Sequence, residues 1–237
     1  MNHILSLADV SVQVAGSRIL HDVSFTVADR GVTALLGRNG VGKTSTLLAV
    51  MGLLPRTGTI TFAGRRIDRT LTHRIVQAGI GYVPEDREVF AGLSVAENLR
   101  LAERDDRPRY DLVDELFPDL LGRRRQLAGT LSGGQQQMLS LGRVLLADNE
   151  LLLVDEPTKG LAPQVVKQVA VALARIAQHT PVLLVEQNLA VVQRLARHAV
   201  VLNQGRVVHD GDARELLADA ALTQRLLGVS SGETAAR

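Results

Sequence analysis

Two stretches near the start of the chain alternate apolar and polar residues. Over residues 3–14 the apolar positions include Val10, Val12 and Val14, and over residues 20–27 they include Val23, Phe25 and Val27. A period of two places such side chains on one face, so both stretches predict half-buried antiparallel strands. The pattern then changes. VTALLG, residues 32–37, is apolar almost throughout and ends in glycine, which predicts a strand covered on both faces. TSTLLAVMGLL, residues 44–54, follows as a helix. Further short buried runs occur at IGYVP (80–84), LLLVD (151–155) and VLLVE (182–186), with helix-like segments at 163–179 and 188–197. Strands alternating with helices predict an α/β fold with a largely parallel sheet and helices on both faces.

Between about residue 91 and residue 146 the strand pattern disappears. Ser94-Val95-Ala96-Glu97 has the spacing of a capping box and opens a helix. DLVDELF and the run after LSGGQ continue the helical pattern, so this block reads as an insert of helices. VVLNQGRVVHDG predicts a hairpin turning at Asn203 to Gly205, followed by one or two short helices, and SSGETAAR is expected to fray. The expected organisation is one domain over 1–237. A core with an antiparallel β subdomain spans 1–90 and 147–227, a helical subdomain spans 91–146, and a flexible tail spans 228–237. No internal repeat or low-complexity tract is visible.

Composition narrows the class without choosing a function. At 237 residues, with 46% hydrophobic and 22% charged residues, the chain has enough apolar material for one substantial core. A net charge of +2, with basic residues scattered as at Arg123 to Arg125 and no interleaved aromatics, gives no sign of a nucleic-acid surface. The absence of cysteine rules out disulfide and thiolate chemistry and suits a reducing compartment. MNHILSLADV has no basic leader ahead of a long apolar run, so no cleavable signal is expected. Every apolar stretch is broken by charge before the roughly 20 residues that a membrane-spanning helix needs.

Three motifs carry chemistry. GRNGVGKT, residues 37–44, fits G-x-x-x-x-G-K-[ST] and sits between a predicted buried strand and a predicted helix, as a P-loop requires. Its backbone N–H groups would cradle phosphates, Lys43 would reach the β and γ phosphates, and Thr44 would offer its hydroxyl to Mg²⁺. The cradle residues are Arg38, Asn39, Gly40, Val41, Gly42, Lys43, Thr44 and Ser45. LLLVDEP, residues 151–157, puts Asp155 and Glu156 at the carboxyl end of a buried strand, the edge where ligands bind in open parallel sheets. Asp155 could hold Mg²⁺, and Glu156 could polarise the water that attacks the γ phosphate. LSGGQQQ, residues 131–137, reads as a capped helix with Ser132 as N-cap and Met138, Leu141 and Leu145 on the core face. A helix start that leaves N–H groups free is also an anion site.

A P-loop, then LSGGQ, then an apolar run ending in Asp-Glu resembles the nucleotide-binding subunit of an ABC transporter, and the likeness spans almost the whole chain. It implies a P-loop NTPase core of the RecA-like kind, ATP and Mg²⁺ as cofactors, and ATP hydrolysis as the activity. It also implies head-to-tail pairing of two such subunits, in which Ser132, Gly133, Gly134 and Gln135 of one close over the γ phosphate held by the other. Bound ATP then favours the closed pair and hydrolysis releases it.

Four positions depart from the commonest form of that family. Val14 stands where an aromatic usually stacks on adenine. Glu85 replaces a glutamine whose place is beside Mg²⁺ and the attacking water. Ala162 replaces an aspartate, and Gln187 stands where a switch histidine contacts the γ phosphate. A neutral amide can donate a hydrogen bond there but carries no imidazolium charge. Together with GIGYVPEDREVF, SVAENL, DEPTKGLAP, LLVEQN and NQGRVVHDGDARELL, these departures resemble the branch that takes up branched-chain (hydrophobic) amino acids. That resemblance implies a second, different ATPase subunit, transmembrane permease subunits and, indirectly, a periplasmic binding protein as partners. It implies no nucleic acid, and a peripheral place on the cytoplasmic face of the inner membrane. Another cargo of the same branch, such as urea, an amide or an aromatic acid, fits the residues too, as does an ABC ATPase outside transport. A regulatory subunit that closes without hydrolysing is opposed by the intact Glu156, while Gln187 and Ala162 leave that reading open.

Overall fold

The computed structural model describes residues 2–104 and 106–228. Two sheets and a block of helices make up the molecule. The central sheet has six strands in the order β10-β9-β3-β8-β7-β6: Arg206–Asp212, Ala196–Asn203, Val32–Leu36, Val182–Val185, Leu151–Asp155 and Ile80–Val83. All neighbours are parallel except β10, which returns antiparallel along β9 through the expected turn. The second sheet is antiparallel, in the order β2-β1-β4-β5: Ser17–Ala28, His3–Val14, Arg56–Phe62 and Arg65–Arg66.

The uninterrupted apolar runs have the burial that their pattern predicts. On β7, Leu151 and Leu153 join a core shared with β1, β2 and β4, while Leu152 and Val154 join the core on the other face. Helix α1 (Lys43–Val50) buries Leu47, Ala49 and Val50 in the first of these cores. Helices α6 (Gly133–Leu145), α7 (Pro163–Ile176), α8 (Leu189–Leu195), α9 (Ala213–Ala218) and α10 (Ala220–Leu227) contribute to the second. Continuing the alternation by one residue turns Asp155 toward the face that carries α1.

Helix α2 is Thr72–Gln77, and the stretch from 91 to 146 holds α3 (Val95–Arg100), α4 (Tyr110–Leu116), α5 (Pro118–Leu121), a 3-10 turn at Ala128–Thr130 and α6. One isolated antiparallel bridge, Ser94 with Leu127, is its nearest approach to sheet structure among the described residues. The capping box at Ser94 is present in full, with Glu97 reaching back to the Ser94 N–H at 2.8 Å.

Several expected boundaries move. Helix α1 ends at Val50, short of 54, because Gly52 turns the chain at φ 74°. Helix α8 stops at Leu195 because Ala196–Val201 are drawn into a parallel strand beside Val32–Leu36. Strand β4 and helix α2 have no counterpart among the expected elements. Residues 229–237, most of the expected tail, lie outside the described residues. No helix among the described residues is long and apolar enough to cross a membrane.

Candidate functional site

The P-loop leaves β3 at Gly37 and enters α1 at Gly42. Gly37 has φ 142°, and a Cβ there would come within 2.4 Å of the Leu202 carbonyl oxygen. Gly42 has φ 108°, and its Cβ would meet Leu20 Cδ2 at 2.5 Å. Both positions therefore need glycine for space as well as for conformation. Gly42 is the N-cap of α1 and offers no side-chain cap, so the first N–H groups of the helix stay free for a ligand. Lys43 is buried at 5% exposure, with Nζ donating to the carbonyls of Gly37 at 3.0 Å and Arg38 at 3.1 Å.

Loops after β7, β8 and β6 bring carboxylates and an amide to the same edge. Glu156 Oε1 lies 3.5 Å from Lys43 Nζ, and the Glu156 backbone is held at φ 42°, an uncommon conformation for a non-glycine residue. Gln187 Nε2 donates to Asn39 Oδ1 at 2.6 Å and also to Glu156 Oε1, tying the P-loop, the β7 loop and the β8 loop together. Asp155 is fully buried, and neither carboxylate oxygen has a hydrogen-bond partner of ordinary geometry. Burial pushes its pKa up to about 6, helped by the charges of Glu156 and Glu85, while the nearby Thr44 hydroxyl and Lys43 pull it down.

Such an orphaned carboxylate facing a hydroxyl suits a hard divalent cation that takes most of its remaining ligands from phosphate and water. No cluster of three or more His, Cys, Asp or Glu side chains suited to a metal exists among the described residues, so the protein alone would make a poor cage.

Glu85 reaches the same edge from the β6 loop, but its carboxylate is paired with Lys159. Lys159 also lies 3.8 Å from Glu156 Oε2. Glu186, buried at 3%, accepts from Thr158 Oγ1 at 2.7 Å and from the N–H groups of Gln187 and Asn188 at 2.8 and 2.9 Å. Burial still raises its pKa. The rule that singled out Asp155, a carboxylate at the end of a buried strand, applies equally to Glu186 in VLLVE. Lys159 has no comparable signal, since its partner Glu85 is 74 residues away.

The signature segment is built as a helix start. Ser132 caps α6 in a full capping box with Gln135, whose Oε1 accepts the Ser132 N–H at 3.0 Å. Ser132 itself is exposed. A Cβ on Gly134 would meet Val165 Cγ1 of α7 at 2.5 Å, and one on Gly133 would meet the Arg87 guanidinium at 3.0 Å. Among the described residues no hydrogen bond or ion pair joins residues 132–135 to the P-loop of the same chain. Val14, at the end of β1, is 40% exposed. Arg38 is exposed and lies against Gly228 at the end of α10.

A glycine-shaped strand-to-helix turn with a buried lysine, faced by carboxylates from neighbouring parallel strands, defines a P-loop nucleotide-binding protein. The chain belongs to the ABC transporter family, whose model matches residues 20–159, and is one of its ATP-binding ATPase cassettes. It is similar to the high-affinity branched-chain amino acid transport ATP-binding protein BraG of Pseudomonas aeruginosa, 38% identical over 95% of this chain and 100% of that protein. The probable branched-chain amino acid transport ATP-binding protein LivF of Archaeoglobus fulgidus is 32% identical over 89% of this chain and 93% of its own length. The lipopolysaccharide export system ATP-binding protein LptB of Escherichia coli K12 is 31% identical over 94% and 97%. Among solved structures, a nucleotide-free ATP-binding cassette from an ABC transporter superposes with a TM-score of 0.82 at 21% identity, covering 96% of this chain and all of that one.

Proposed function

We propose that this chain is the ATP-hydrolysing subunit of an ABC importer for branched-chain or other hydrophobic amino acids. Lys43 and the backbone of residues 38–45 hold the phosphates. Thr44 and Asp155, with Glu85, would hold Mg²⁺, which would neutralise negative charge on the transferring phosphoryl group. Glu156 is the general base for the attacking water, and Gln187 orients it while sensing the γ phosphate. Val14 lines the base without an aromatic stack. Ser132, Gly133, Gly134 and Gln135 act on the nucleotide of a second ABC ATPase subunit, a reading supported by the exposure of Ser132 and by the lack, among the described residues, of any hydrogen bond or ion pair from this segment to its own P-loop. The pair sits peripherally on the cytoplasmic face of the inner membrane, against two permease subunits supplied by a periplasmic binding protein.

The observation that carries the hydrolytic reading is Gln187, whose one amide nitrogen spans Asn39 of the P-loop and Glu156. The cargo rests on the full-length likeness to BraG. Reconstituting the chain with its co-purifying permeases should give ATP-driven uptake of leucine, and Glu156→Gln should slow turnover by a hundredfold or more, in the range of a lost general base, ~10²–10⁴. Undiminished turnover in Glu156→Gln would refute the base. Uptake of urea alone, or export of lipid, would overturn the cargo.

A further inference from the structure

Lys159 touches the loops that carry the chemistry, pairing with Glu85 and lying near Glu156. We propose that Lys159 is a positioning residue for the ATPase reaction, its ammonium competing with the divalent cation for Glu85 and Glu156. The inference rests on the reading of this edge as the Mg²⁺-ATP site.

Four carboxylates converge here, and they are not equally provided for. Glu186 is satisfied by Thr158 and two backbone N–H groups. Asp155 has no partner of ordinary geometry. Glu156 is shared between Lys43, Gln187 and Lys159. Glu85 has Lys159 and no other hydrogen-bond or ion-pair partner among the described residues. Among the described residues, Lys159 and Lys43 are the cationic side chains paired with these groups.

The two lysines are built differently. Lys43 is buried and anchored on carbonyls, whereas the Lys159 side chain is 57% exposed. Its backbone is fixed by a turn, Lys159 N–H to the Glu156 carbonyl at 3.1 Å, next to the buried Thr158 to Glu186 bond. A compact ammonium on a flexible stem, tethered at its base and open to water, can yield its carboxylates to a competing cation. The pair also bridges neighbouring strands, since β6 and β7 are adjacent in the sheet. Two residues beyond Glu85, Arg87 lies against Gly133 at the start of α6. Exchanging Lys159 for the cation therefore changes what tethers the loop whose Arg87 lies against the signature helix.

The test is the ratio of ATP dissociation constants without and with Mg²⁺ (EDTA against saturating Mg²⁺), measured on the full chain by equilibrium dialysis of labelled ATP. Lys159→Met should raise this ratio about threefold to fivefold, the effect of removing one partly exposed competing charge, and Lys159→Arg should stay within about twofold. In a Glu85→Gln background Lys159→Met should change the ratio by less than about twofold, because the carboxylate that Lys159 holds most closely is gone and only the longer contact to Glu156 remains. Glu85→Gln alone, which leaves Lys159 intact should the Met variant fail to fold, should lower the ratio. An unchanged ratio in Lys159→Met, the same shift with Glu85 neutralised, or a raised ratio in Glu85→Gln would each overturn the proposal. Failure of the unmodified protein to bind ATP at all would instead sink the ATP-site reading and this inference with it.

Discussion

Asp155→Asn should make the isolated protein more stable while disabling the Mg²⁺ site proposed for it. The structure holds this carboxyl fully buried and unpartnered, and burial lifts its pKa to about 6 from an ordinary 3.8. That is about two units, or about 3 kcal/mol of differential penalty on the charged form. Because the folded value is raised, the unfolded chain releases this proton first, and stability falls as pH rises from near 4 to near 6. Above pH 6 the penalty is fully present; below about pH 4 it is gone. Asparagine keeps the shape and the unsatisfied polar atoms but drops the charge. At pH 8 in EDTA the variant should therefore unfold later, by up to about 6–12 °C for a chain of this size. The gain should shrink by about half at pH 5, where the native carboxyl is largely protonated. Differential scanning calorimetry at both values decides the matter, and a Mg²⁺-ATP addition should reverse the order, since only the carboxylate gains a cation. An Asp155→Asn variant no more stable than its parent at pH 8, or equally favoured at pH 4, would refute the reasoning.

Two further outcomes follow from particular contacts. Gln187→Ala removes the amide that joins Asn39 to Glu156, and should cut ATP turnover of the assembled transporter by roughly ten- to a hundredfold while leaving Mg²⁺-ATP binding within a few-fold; normal turnover would remove Gln187 from the chemistry. Gly134→Ala drives a methyl to 2.5 Å from Val165 and should cost about 1–3 kcal/mol in chemical denaturation, most of it recovered by Val165→Ala in the same chain, a recovery that a purely local helix effect would not give.

Much of the site could be read along the chain because its parts are local. The P-loop is one strand-to-helix turn, and Gly37 and Gly42 are demanded by backbone conformation within it. The caps at Ser94 and Ser132 each need only a residue three positions on. The burial of β3, β7 and β8 follows from runs that are apolar almost throughout, with Thr33 the one polar residue in their interior. Strand β4 was hidden because RTGTITF is short, polar and broken by Gly58, and becomes a strand only by pairing with β1. The junction of α8 and β9 could not be placed for a similar reason: the helix-like pattern runs on to residue 197, and only the edge of β3 draws Ala196 and Arg197 into the strand that continues into the expected hairpin.

By itself, then, the sequence determined the alternating strand and helix order, the phosphate-binding turn and the carboxylates at strand ends, since each depends on periodicity or on bonds between near neighbours. Only the tertiary structure decided which of those groups meet. Gln187 and Asn39 are 148 residues apart, and Lys159 and Glu85 are 74 apart. They touch because a parallel sheet gathers the carboxyl ends of β3, β8, β7 and β6 along one edge, and no local propensity encodes the order of strands in that sheet.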